Sequence, residues 1–417
     1  MTVSYLTPNS MTLAAYQARA CASNQFHGKA TAIDQLKFGL FSEVGTVLAL
    51  VKKSHRDLQA ADLHGIGEEL GDALWYLTTA AVEHGSSLDE IGLGALSELQ
   101  RLFNVTGTPR DRNAGLSFSE FDGLIAFSRS QLDNEEVHSR LRQLGIDCGR
   151  LLAEDESSTL ASDQSLQMLS RILADVVVVG ALFKQSFSWI AEFNLGKIES
   201  RWPPAGTPHI PLFDEERPPL EQFPRGFSIR FIQQTSKSGK PYVIQQLNGV
   251  NIGDRLTDNR THGDGYRFHD VFHLSYLVHL GWSPVIRALL KLKRKSDPEV
   301  DENQDGARAI IIEEGIATWI FNHGHRRQYF SETGVGRLDY NMLKQVADMV
   351  EGYEVSACPM WQWERAILDG FSVFRQLRDA GGGAVHIDLI ARTLTFSPDI
   401  SLQDNPKTPL VLSSFNS

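Results

Sequence analysis

Apolar residues recur every three to four positions through the first half of the chain. Leu36, Leu40, Val44, Val47 and Val51 make one stripe, and Ile66, Leu70, Leu74, Leu77 and Ala81 make a second. That period is the mark of helices with one buried face, and it predicts helices from about Leu13 to Leu102. Gly, Pro, Arg and Asn over Val105–Ser117 predict a loop. Helical patterning resumes from Phe118 to Trp202. Seven of the 16 prolines then follow closely: Pro203, Pro204, Pro208, Pro211, Pro218, Pro219 and Pro224. Proline fixes φ and removes a backbone donor, so this stretch is expected to be extended and to act as a linker. FSIRFIQQ and PYVIQQLNG flank a Ser-Lys-Ser-Gly-Lys turn and predict a β-hairpin. Helices are expected from about Phe268 to Leu377, and the alternation in VHIDLIARTLTF can add strands to the same small sheet. The expected fold is therefore mainly α. Helical segments at 1–115 and 118–202 precede a Pro-rich linker at 203–224 and an α+β domain with a small antiparallel sheet at 225–417.

Composition changes this picture little. The 417 residues carry 42% hydrophobic and 22% charged side chains, an ordinary globular mixture, and suffice for two or three domains. The formal net charge of −11 argues against general nucleic-acid binding, which needs basic stripes to displace counterions. Lys291, Lys293, Arg294 and Lys295 form the dense basic run and read as a solvated helix end. Cys21, Cys148 and Cys358 are too far apart to suggest a disulfide framework. No apolar stretch is expected to cross a membrane, and the N-terminus lacks a signal-peptide pattern, so a cytoplasmic protein is expected.

Two constellations carry candidate chemistry. Glu69 and Asp72 are three apart on a predicted helix, which puts both carboxylates on one face with Tyr76. Glu43 sits on another helix, and Lys52, Lys53 and Arg56 follow it as candidate phosphate contacts. Trp75 or Tyr76 is a candidate to stack on a base. Mg²⁺ takes hard oxygen ligands, and facing helices of a bundle commonly supply them. Spacing alone equally describes solvated helix faces. A faint repeat adds to this: the segment Phe41–Ala49 resembles Gly145–Ala153, which sets Asp147 opposite Glu43 and Gly149 opposite Gly45. About the same offset sets Asp175 near Asp72. Two such repeats would form an internal pseudo-dimer.

Met11-Thr-Leu-Ala-Ala-Tyr-Gln, GLFSEVGTVLALVKKSHRD and IGEELGDALWYLTTAAVEHGSSLDEI, followed by a Leu-rich helix, resemble the MazG-like all-α nucleoside triphosphate pyrophosphohydrolases over about the first quarter of the chain. The resemblance implies a helical bundle, Mg²⁺ (or Mn²⁺) as cofactor and a nucleotide substrate. It also implies either assembly with further copies or an internal pseudo-dimer. The family pattern is E-x-x-E on one helix and E-x-x-D on the next. Glu43 takes the first position, and Glu69 and Asp72 take the third and fourth, as catalytic metal ligands. Thr46 stands at the second, where a hydroxyl replaces an anion.

In the C-terminal region, His269, Asp270 and His273 form H-D-x-x-H at the start of an apolar helix, with the histidines one turn apart. Glu313 and Glu314 lie on another helix that is apolar nearly all round. Buried carboxylates need a cation, and either a second metal or Arg308 would serve. This region resembles the C-terminal extension of some MazG-like proteins, a resemblance that brings no chemistry with it. Three functions follow as expectations: pyrophosphohydrolysis of (d)NTP, nucleotide sensing by a degenerate site, or metallohydrolase chemistry at the histidines.

Overall fold

The computed structural model describes residues 11–58, 60–106, 115–154 and 163–398. Most of the loop expected over Val105–Ser117, the first ten residues and the chain beyond 398 lie outside the described residues. The chain divides into two compact units, Met1–Glu199 and Ser200–Ser417.

The first unit is all helical. Its elements are α1 (Leu13–Cys21), α2 (Ala32–Arg56), α3 (Leu63–Glu83), α4 (Leu88–Phe103), α5 (Phe118–Phe127), the single turn α6 (Arg129–Leu132), α7 (Val137–Ala153), α8 (Asp163–Leu182) and α9 (Phe187–Arg201). Local signals set several starts. The Thr12 hydroxyl and the Asp62 carboxylate accept from backbone N–H groups of the first turns of α1 and α3, and Ser87 with Glu90 forms a capping box at α4. Both predicted stripes are buried, from Leu36 to Val51 on α2 and from Ile66 to Ala81 on α3. One continuous core runs from Leu13 to Ile198, so the segments before and after the loop share an interior. The stretch Gln164–Leu182, with mean hydropathy 1.6, is long and apolar enough to cross a membrane, contrary to the sequence-based expectation. It is largely buried within this unit, where Leu169, Ile172, Leu173 and Val176 belong to the core.

The second unit is α+β. An antiparallel sheet of order β3-β2-β1-β4-β5 is built from β1 (Gly226–Thr235), β2 (Pro241–Leu247), β3 (Val250–Leu256), β4 (Gly382–Asp388) and β5 (Thr393–Ser397). The hairpin at the Ser-Lys-Ser-Gly-Lys turn forms as expected, and VHIDLIARTLTF supplies β4 and β5. The strand β3 was not foreseen, because its burial pattern is almost wholly exposed and gives no alternation. Gly382 allows β4 to enter the sheet: its φ is +129°, and a Cβ there would lie 2.5 Å from the Phe231 carbonyl oxygen. The helices are α10 (Asp270–Leu280), α11 (Pro284–Leu290), α12 (Pro298–Asn303), α13 (Ala307–Arg326), α14 (Tyr340–Met349) and α15 (Met360–Ala380). Every residue of α10 is buried.

Two sequence readings need correction here. The Pro-rich segment is irregular, with turns at 205–206, 213–216 and Pro219–Glu221, and it packs into this unit. Leu212 and Phe223 join its core, and buried Asp214 pairs with Arg225 and Arg287. Arg294 of the basic run is likewise buried, held by Asp305 at 2.7 Å and by Glu354 at 2.7 Å. Its charge was legible, but its two distant carboxylate partners were not.

Candidate functional site

In the first unit, α2 presents Glu43 and α3 presents Glu69 and Asp72 on a half-buried face. One carboxylate oxygen from each lies within 4.8 Å of the others. The i, i+3 spacing aligns Glu69 with Asp72, and the packing of α2 on α3 adds Glu43. Burial, a hydrogen bond with Glu69 and the charge of Asp72 raise the Glu43 carboxyl to about 8. Burial likewise raises Asp72, against the lowering effect of Lys197. Crowded carboxylates of this kind favour either a shared proton or a cation.

The counter-charge comes from α9. The Lys197 ammonium pairs with Asp72 and with Glu68, the latter at 3.0 Å, and all three side chains are largely buried. Asn194 donates to Asp72 at 3.0 Å and accepts from the Tyr16 hydroxyl at 2.7 Å, so the Asp72 carboxylate is fixed by two successive layers of polar contacts. Tyr76 lies over Gly39, where a Cβ would fall 2.1 Å from its ring. Glu68, Lys197 and Asn194 were missed by the sequence reading. Glu68 was visible as the neighbour of Glu69, whereas Lys197 is far along the chain and declares itself only through the fold.

The remaining candidates are placed elsewhere. Lys52, Lys53 and Arg56 are exposed and lie 9 to 13 residues beyond Glu43 on α2, about 14–20 Å along its axis. Arg56 pairs with Asp57. Trp75 donates its indole N–H to the Ala20 carbonyl and the Ser23 hydroxyl, both at 3.0 Å, and packs on the core. Thr46 donates to the Ser42 carbonyl of its own helix at 3.1 Å.

The repeat-related carboxylates meet differently. Asp147 accepts from Gln143 and Arg150, and Asp175 faces Arg140 at 3.5 Å. With Arg101 and Arg171 they line a cavity of about 290 Å³. The offset that relates Asp72 to Asp175 sets Ile172 or Leu173 opposite Glu69, so no acid stands at that position, and the third carboxylate lining this cavity is Glu98 from α4.

In the second unit, His269 Nε2, His273 Nε2 and the Glu314 carboxylate gather within 4.8 Å. The separations to Glu314 are 3.9 Å from His269 and 3.5 Å from His273. His269 Nδ1 bonds the Tyr266 carbonyl at 2.9 Å, and its ring stacks on Tyr266 with centroids 4.2 Å apart. His273 Nδ1 bonds Glu313 at 2.8 Å, and Glu313 also accepts from the Ser283 hydroxyl and the Val285 N–H. Asp270 lies 3.1 Å from His269 Nε2 and accepts from Gln245. Arg308, expected to neutralise a glutamate, is exposed and makes no ion pair with Glu313 or Glu314. Burial pulls the His273 pKa down, but Glu313 and Glu314 more than offset it.

Residues 208–400 match the family model of the MazG C-terminal domain. The C-terminal unit is thus similar to the MazG C-terminal domain over most of its length. This match covers the sheet, α10–α15 and most of the Pro-rich segment, so the histidine cluster lies inside the matched region. No curated protein and no solved structure gives a significant match to the chain.

Proposed function

We propose that the first unit is a MazG-like, Mg²⁺-dependent nucleotide pyrophosphohydrolase that converts a (d)NTP and water to a (d)NMP and pyrophosphate. The observation that carries this reading is the convergence of Glu43, Glu69 and Asp72 from two helices onto one half-buried point. The MazG C-terminal domain in the same chain supports it. Three carboxylates supply the hard oxygens that Mg²⁺ prefers and leave coordination positions for phosphate oxygens. When bound, Mg²⁺ would neutralise charge on the phosphates and lower the pKa of a coordinated water. Hydrolysis forms one bond from water oxygen to the α-phosphorus and breaks the bond from the α-phosphorus to the bridging oxygen. Pyrophosphate leaves, and the water proton passes to a carboxylate or to solvent. Asn194 and Lys197 keep Asp72 oriented, and Lys197 balances part of the acidic charge that crowds the site.

We also read α2–α4 and α7–α9 as two repeats forming an internal pseudo-dimer, supported by their single shared core. The second copy has lost its ligand set and retains a mixed Arg and Asp cavity.

A second reading is favoured by Thr46, which adds no charge where the family pattern has one. In that reading the site binds a nucleotide and signals without turnover. Incubating the full chain with a nucleotide panel and Mg²⁺ or Mn²⁺ separates the two. Monophosphate and pyrophosphate in equal amounts support hydrolysis, and saturable binding with no product supports sensing.

A further inference from the structure

The histidine cluster of the second unit has a hydrogen-bond pattern that fixes which ring nitrogens face its carboxylates. The Tyr266 carbonyl can only accept, so His269 Nδ1 carries the proton in that bond. Glu313 accepts from Ser283 and from the Val285 N–H, so it is an acceptor toward His273 Nδ1 as well. With both Nδ1 atoms committed as donors, each ring turns its Nε2 toward the cluster, as an N–H when protonated and as a lone pair when a metal takes the place of that proton. The two Nε2 atoms face the carboxylates of Asp270 and Glu314, at 3.1 Å and 3.5 Å respectively. The negative charge gathered there calls for a cation, which protons on the Nε2 atoms or one metal ion between them would supply.

His273 sharpens the point. Its side chain is completely buried, and its Nε2 makes no hydrogen bond. A buried polar atom left in this way needs a partner. The surroundings also match what metal-bound imidazoles need, since each ring is held at its other nitrogen by a carbonyl or a carboxylate. Metal bonds of about 2.1 Å set ligand atoms about 3–4 Å apart, close to the separations from Glu314 to the two histidines.

We propose that His269 Nε2, His273 Nε2 and the Glu314 carboxylate bind one first-row divalent transition metal ion, with Asp270 facing the same point. Two imidazoles select a borderline ion such as Zn²⁺, Fe²⁺ or Co²⁺ over Mg²⁺. Three protein ligands leave positions open for water or a substrate, the arrangement of reactive rather than purely structural centres. Glu314 is the exposed member, with 42% of its side chain accessible, so the open positions lie on its side. This site is independent of the carboxylate cluster in the first unit and of the reaction proposed there.

Co²⁺ is the probe, because its visible absorption reports imidazole ligation directly. The full chain carrying Glu43→Gln and Glu69→Gln, which disables the first cluster, is stripped with chelator and titrated with Co²⁺. The expected result is saturation at about one Co²⁺ per chain with absorption bands of a low-coordinate site. Glu314→Gln, at a half-exposed position, should fold normally and weaken Co²⁺ at least about tenfold. His269→Ala should do the same, and adding His273→Ala should abolish the bands. Should the buried His273→Ala change prevent folding, the other two variants still decide. Absence of bands in the parent, or equal Co²⁺ affinity in the parent, Glu314→Gln and His269→Ala, would overturn the assignment.

Discussion

The two clusters solve the same electrostatic problem with different chemistry. In the first unit, carboxylates are crowded on facing helices, and the compensating charge is an ammonium from α9, Lys197, held against Glu68 and Asp72. In the second, carboxylates surround two imidazoles whose outer nitrogens are already committed. An ammonium is a fixed charge that a hard divalent ion can supplement, so the first cluster suits Mg²⁺ and phosphate oxygens. Imidazole lone pairs suit a borderline transition metal. The lesson is that nearly the same geometry, three ligand atoms within 4.8 Å, takes its chemical meaning from what neutralises it.

Lys197→Met breaks the first half of that comparison and has the largest expected effect. Removing a buried partner leaves excess negative charge, costing about 3 kcal/mol. The melting temperature in chelator should fall by about 6–12 °C. Mg²⁺ should then restore more stability to the variant than it adds to the parent. An unchanged melt would show that the lysine does not balance the cluster.

The proposed second copy gives a pH test. Burial raises the Asp175 carboxyl to about 6, against the lowering effect of Arg140. An acid whose folded pKa lies above its unfolded value is favoured in its protonated form. Its contribution is therefore fully present below the unfolded pKa and is lost as pH rises through about 6. Asp175→Asn should accordingly stabilise the protein at pH 7.5 by about 1–2 kcal/mol and have little effect at pH 4. Equal effects at both values would contradict the burial argument.

The smallest expected change is at Thr46. Its hydroxyl serves the Ser42 carbonyl, so Thr46→Glu replaces a helix contact with an anion near the cluster. The Mg²⁺ concentration for half-maximal activity should fall by about 3- to 10-fold. A rise would show that the threonine has its own role.

Much of this was legible along the chain. The stripes Leu36–Val51 and Ile66–Ala81 named the core faces, and the spacings of Glu69 with Asp72 and of His269 with His273 named the clusters. What was hidden depends on contacts between distant segments. Lys197 and Asn194 reach Asp72 from more than 120 positions away in sequence. Arg294 looked solvated because its carboxylate partners, Asp305 and Glu354, are separate signals. The Pro-rich segment read as a linker since proline reports backbone shape and says nothing of burial, whereas Leu212, Asp214 and Phe223 are interior. Strand β3 gave no pattern because it is exposed along most of its length.

The most direct test of the central claim is hydrolysis of nucleoside triphosphates in ¹⁸O-labelled water by the full chain and by Glu69→Gln. The account predicts label in the nucleoside monophosphate, none in pyrophosphate, and activity in Glu69→Gln lowered at least about 100-fold. Label in pyrophosphate or inorganic phosphate, or full activity in Glu69→Gln, would contradict it.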